Sequence, residues 1–262
     1  MNNRVINYRE EYVGKTFETK SCGKCTVIKY ENSRNVTVKF HEYPYIVRST
    51  SKNIRNGRLL NPMYPSCCGV GYLGEGRYLS SDRKVFNIWY AMLQRVYDER
   101  YREKFPAYKD VKVCDEWLNF QNFADWCYKQ KYFKAKDHNN KSYHLDKDLL
   151  SGSSKVYSPK TCCFLPPAIN SLLQGKSMGK QPSGVYFRES RNMYEASVTI
   201  GVKKFALGAY VTSEEAFSVY KVAKERHIRE VAEKWKGKID DRAYEALMHY
   251  EIVNKEMSDG KN

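Results

Sequence analysis

His144, Asp146 and Asp148 occupy alternate positions of one short segment, and Asn170 follows in a stretch with helical patterning. Carboxylate and amide oxygens are hard ligands that suit Mg²⁺ or Mn²⁺, and a neutral imidazole can take a proton from water. Asp146 and Asp148 stand at i, i+2, so an extended chain puts both on one face. The same two carboxylates could equally face water or pair with a lysine, and a strand histidine is more often a surface group than a base. Residues 143–173 therefore hold either a hydrolytic metal centre or an ordinary polar hairpin.

A second constellation lies nearer the carboxyl end. Val185 and Phe187 alternate with Tyr186 and Arg188. Tyr194, Ala196, Val198 and Ile200 alternate with Glu195, Ser197 and Thr199. Phe205, Leu207 and Ala209 alternate with Lys204, Ala206, Gly208 and Tyr210. Period-2 alternation predicts three strands with one apolar face and one polar face. Thr212-x-x-Glu215 is a capping box, and Ala216, Tyr220 and Ala223 form one stripe of the helix that it starts. The small residues of that stripe let helix and sheet approach closely.

Residues 182–230 resemble the ethylene-response-factor (Apetala-type) DNA-binding domain. The matching residues are Gly184-Val185, Tyr194-x-Ala196, Leu207-Gly208, the Thr212-x-Glu214-Glu215-Ala216 helix start and Tyr220. In that family the outer face of the sheet enters the major groove of double-stranded DNA. The resemblance implies Tyr186, Arg188, Arg191, Ser197, Thr199, Lys204 and Tyr210 as DNA-binding residues. Arginine can pair bidentately with guanine, whereas lysine suits phosphate. Glu195 departs from this scheme, because a carboxylate repels phosphate unless it accepts from a cytosine amine.

The stretch 143–173 is similar to the degenerate HNH (ββα-metal) modules of phage homing-type endonucleases, which are also linked to Apetala-type domains. The resemblance implies a hydrolase with Asn170 as the helical metal ligand. The first strand fits in three registers. His144-x-Asp146 can match the family's His-x-Asp, or Asp146-Lys147-Asp148 can, or Asp146 can be the ligand with Lys147 at the position of the base. The candidate catalytic residues are thus His144, Asp146 and Asn170, and the candidate ligands Asp146, Asp148 and Asn170, with Mg²⁺ or Mn²⁺ as cofactor. The family's central Asn falls near Cys162, which cannot replace its hydrogen bonds.

The chain has 262 residues with 45 Lys and Arg against 30 Asp and Glu, a net charge of +15. Most of that excess lies before residue 177. A polyanionic partner is the natural reading. With 42% hydrophobic and 14% aromatic residues the chain can bury packed cores. No apolar run reaches 18 residues, and MNNRVINYREEYVG has no apolar signal region, so a cytoplasmic protein without a membrane partner is expected. Of eight cysteines only Cys22 and Cys25 form a C-x-x-C. Structural zinc needs two such pairs at a regular interval and is not expected.

These readings predict a multidomain α+β chain, monomeric. Residues 1–62 form a small basic β-barrel, either a DNA clamp or a protein-interaction module. Residues 63–82 are a Gly/Pro linker, 83–174 the HNH-like module, 175–183 a second linker, and 184–254 the Apetala-type domain with C-terminal helices. Two further function classes stay open: a catalytically decayed DNA-binding regulator, and a phage antagonist that binds host proteins.

Overall fold

The computed structural model describes residues 11–152, 154–173 and 181–253. Most of the expected second linker, residues 175–180, lies outside them. In chain order the strands are β1 (Thr16–Glu18), β2 (Lys24–Asn32), β3 (Asn35–Phe40), β4 (Ile46–Ser49), β5 (Lys112–Val113), β6 (His144–Asp146), β7 (Val156–Tyr157), β8 (Cys163–Leu165), β9 (Val185–Arg188), β10 (Met193–Ile200) and β11 (Lys203–Tyr210). The helices are α1 (Ser51–Arg55), α2 (Arg83–Tyr97), α3 (Glu99–Lys104), α4 (Phe120–Lys129), α5 (Asp148–Ser151), α6 (Pro167–Leu173), α7 (Ser213–Trp235) and α8 (Asp241–Met248). The α+β class is as expected. The described residues divide into two compact units, one within residues 1–129 and 155–158, the other within residues 130–154 and 159–262. Helices α2–α4 fall in the unit of the N-terminal sheet, and the paired strands β6 and β8 fall in the unit of the C-terminal one.

In the first unit β1 to β4 form an antiparallel meander in sequence order. It stays open, so the expected barrel is corrected to a sheet. The edge strands β1 and β4 span only three and four residues, and no pairing joins them. One face buries Cys25, Val27, Val36, Val38 and Phe40 against Ile54 of α1 and Leu59. Cys25 is therefore a core side chain whose thiol pKa is raised by burial. Its partner in the C-x-x-C, Cys22, accepts the Asn61 N–H at 3.4 Å.

Helix α2 turns Val85, Trp89, Met92, Leu93 and Val96 inward, and α4 turns Phe120, Phe123, Ala124 and Cys127, as their helical spacing requires. Trp89 donates Nε1–H to the Trp117 carbonyl at 2.7 Å. The stretch expected as an extended linker is packed into this unit. The Gln121 amide donates to the Leu73 and Tyr78 carbonyls at 3.1 and 2.9 Å, and its oxygen accepts the Tyr78 N–H at 3.0 Å. Glycine is needed at position 71 because a β-carbon there would lie 2.3 Å from Leu93 Cδ1 and 3.0 Å from the Trp89 ring.

In the second unit the antiparallel pair β6–β8 leads directly into α6, a ββα arrangement with α5 and β7 between its two strands in the chain. The three-stranded sheet runs β11-β10-β9 and carries α7 on one face. Val185, Ala196 and Ala216 form the buried centre of that layer. The capping box closes as expected: Glu215 N–H donates to Thr212 Oγ1 at 3.2 Å, and Thr212 N–H donates to Glu215 Oε2 at 3.3 Å. The turn after α7 is held by Tyr132 and Tyr143, whose hydroxyls donate to the Gly237 and Lys238 carbonyls at 2.9 Å each. No described helix is long and apolar enough to cross a membrane.

Candidate nucleic-acid interface

Strand register decides which side chains leave the sheet together. Tyr186 pairs across to Glu195, and Glu195 to Ala209. Ser197 opposes Ala206, and Thr199 opposes Lys204. Directly opposed residues share a face, so all of these point away from α7. Tyr186, Arg188, Arg191, Ser197 and Lys204, five of the seven expected contact residues, line one shallow concavity of ≈ 690 Å³. Thr199 is exposed on the same face.

Tyr210 does not join them. It opposes Tyr194 and packs against the core beside α7, and its hydroxyl donates to the Leu207 carbonyl at 2.9 Å. The alternation breaks because a β-bulge shifts the register between Ala196 and Ser197. One extra residue in β11 turns every later side chain to the opposite face. Gly208 sits at the bulge with φ +131°, where a β-carbon would be 2.7 Å from the Tyr210 hydroxyl.

Charge is organised within the concavity. The Arg188 guanidinium forks onto Glu195, with Nε 3.2 Å from Oε1 and Nη2 2.9 Å from Oε2. Arg191 Nη1 stands 3.9 Å from Oε1. The Arg188 hydrogen bonds hold the Glu195 carboxyl below its ordinary range, with added attraction from Arg191 and Lys204. Lys204 Nζ lies 4.1 Å over the Tyr186 ring, a cation–π contact that fixes the ammonium near the sheet. Glu195 is thus an ionised acceptor held among three cations.

The second expected site is less assembled. His144 is exposed on β6 opposite Leu165. Asp146, opposite Cys163, caps α5 by accepting the Leu149 N–H on Oδ2 at 2.9 Å, and burial raises its pKa. Asp148 is exposed and paired with the ammonium of Lys147, itself only 9% exposed. Tyr143 is buried. Asn170 Oδ1 is buried without a hydrogen-bond partner among the described residues. An orphaned amide oxygen fits a metal ligand, whereas a carboxyl of raised pKa spent on a helix cap does not. Among the described residues no three His, Cys, Asp or Glu side chains group tightly enough to hold an ion. The donor set for a metal ion is therefore incomplete among the described residues.

Sequence reasoning missed Arg242. Its guanidinium forks onto Asp240 at 3.1 and 2.8 Å and reaches the Pro159, Lys160 and Cys162 carbonyls at 3.4 Å each. It braces the loop that precedes β8, where Cys162 offers no side-chain amide. Nothing local in the sequence signals a partner some eighty residues away. No family model matches the chain, and no curated protein or solved structure is found to be similar to it.

Proposed function

We propose that the chain is a double-stranded DNA-binding protein that docks the outer face of its C-terminal sheet in the major groove. The observation that carries this is the concavity itself, in which Tyr186, Arg188, Arg191, Ser197 and Lys204 converge on a surface turned away from α7. A net charge of +15 supports a polyanionic partner. Arg191 and Lys204 flank the concavity as phosphate contacts, and Arg188 reads a base edge.

Fluorescence anisotropy with duplex DNA across a salt series tests this. Binding driven by phosphates weakens steeply with salt, and the slope reports how many are neutralised. Arg188→Ala reduces discrimination between preferred and random duplexes more than it reduces binding to random duplex. Absence of binding at low salt removes the interface and leaves a protein partner as the reading.

A second reading, metal-dependent nicking by the ββα element, is favoured by the orphaned Asn170 oxygen. Plasmid nicking in Mg²⁺ or Mn²⁺, wild type against Asn170→Ala, tests it. DNA binding without cleavage identifies a regulator built on a nuclease-like module.

A further inference from the structure

We infer that Glu195 is the specificity-determining acceptor of the sheet face, taking a cytosine N4 amine while Arg188 donates to the guanine of the same base pair. The inference rests on the DNA-binding reading above and adds the base pair that is read.

Position comes first. Glu195 lies on the central strand β10, flanked across the sheet by Tyr186 and Ala209. Ala206 and Ala209 have no side chain beyond the β-carbon, so a base edge can approach the carboxylate closely. The cations stand around it: Arg188, Arg191 and Lys204.

Electrostatics then assigns what lies where. A phosphate cannot rest on a carboxylate that its neighbours keep ionised. The middle of the concavity is left for an uncharged edge, and Arg191 and Lys204 remain for phosphates. An ionised carboxylate only accepts hydrogen bonds, so that edge must present a donor. In the major groove the donors are the cytosine N4 and adenine N6 amines. Adenine carries its N7 acceptor beside N6, which a carboxylate repels, whereas cytosine carries only a C–H beside N4.

The fork completes the pattern. Arg188 spends Nε and one Nη2 hydrogen on Glu195, and keeps donors on Nη1 and Nη2. Donors and an acceptor therefore stand side by side in fixed order. A G·C pair displays the complement in one plane, O6 and N7 of guanine beside the cytosine amine. The carboxylate also holds the guanidinium in place before DNA arrives, which lowers the ordering cost of the contact.

The test is selection of preferred sites from a random duplex pool with the intact chain, repeated with Glu195→Gln and Glu195→Ala, each checked for an unchanged melting profile. Wild type selects one fixed G·C pair, and anisotropy shows binding roughly tenfold weaker when that pair becomes A·T. Glu195→Gln moves the preference at that position toward A·T, because a glutamine amide matches adenine N6 and N7. Glu195→Ala loses preference there and gains none. Identical selected sites for wild type and both variants, or an equal gain in affinity for every duplex, would show that Glu195 only balances charge and would overturn the inference while leaving the interface standing. Failure of wild type to bind any duplex at low salt would overturn both.

Discussion

The ring of Tyr220 lies so close to Gly184 that a β-carbon on the glycine would sit 2.1 Å from Cδ2. The two residues are far apart in sequence, one before β9 and the other within α7. Their contact brings helix and sheet together where Val185, Ala196 and Ala216 are buried. Gly184 also has φ +79°, a region costly for any other residue. Gly184→Ala therefore meets both a steric and a backbone penalty, and the expected loss is about 3 kcal/mol of unfolding free energy. Urea denaturation of the full chain measures it. A loss below about 0.5 kcal/mol would show that the ring gives way freely.

What the sequence made legible was mostly local. Thr212 and Glu215 sit three residues apart, so their reciprocal caps follow from spacing alone. Val185, Ala196 and Val198 are buried as their alternation requires. Tyr210 was not legible, because a bulge near Gly208 resets the phase of β11 and alternation carries no record of it. The Arg188–Glu195 fork depends on cross-strand register, so from sequence alone Glu195 reads as a liability. Glycines 71, 74 and 76 look like spacers in a list of residues. A β-carbon on any of them would fall within 2.3 Å of a side-chain atom. The ββα order was readable, while the surroundings of Asp146 and Asn170 depend on contacts distant in sequence.

His227 gives the C-terminal unit a pH dependence. It is only 9% exposed on α7, and the groups facing it are Lys224, Glu230 and Lys234. Burial first, then Lys224, lowers its pKa below the ordinary 6.5, outweighing Glu230, whose Oε2 is 3.9 Å from Nδ1. The unfolded chain therefore takes up a proton below about pH 6.5 that the folded chain still refuses. Stability is full above that pH and falls as pH drops from 6.5 toward the folded value. Melting temperatures at pH 8 and pH 5.5 measure the decline, and His227→Gln makes the two values converge. An unchanged decline in the variant would place its origin elsewhere.

Gly71 distinguishes a packed segment from a tether. Its N–H donates to the Cys67 carbonyl at 2.8 Å, and its neighbour Tyr72 donates to the Leu118 carbonyl at 2.9 Å. An added methyl meets Leu93 Cδ1 and the Trp89 ring. Gly71→Ala is expected to cost about 1–3 kcal/mol, because the overpacked core must shift. A free linker would tolerate the change or gain a few tenths of a kcal/mol from reduced chain entropy. Thermal unfolding of the full chain, followed by tryptophan fluorescence, separates the outcomes.

Asn170 sets stability against function. A buried carbonyl oxygen without a partner costs about 1–3 kcal/mol relative to a satisfied one. Leucine has the same branched side-chain skeleton and no polar atom, and although its methyl groups are bulkier, Asn170→Leu should raise unfolding free energy by about 1 kcal/mol. If that oxygen is held for chemistry, the same variant becomes more stable and loses Mg²⁺- or Mn²⁺-dependent nicking. Denaturation and plasmid nicking on one preparation read both effects. A variant that loses stability instead would mean that the oxygen is satisfied by water and that Asn170 is a structural residue, which removes the observation favouring the nuclease reading.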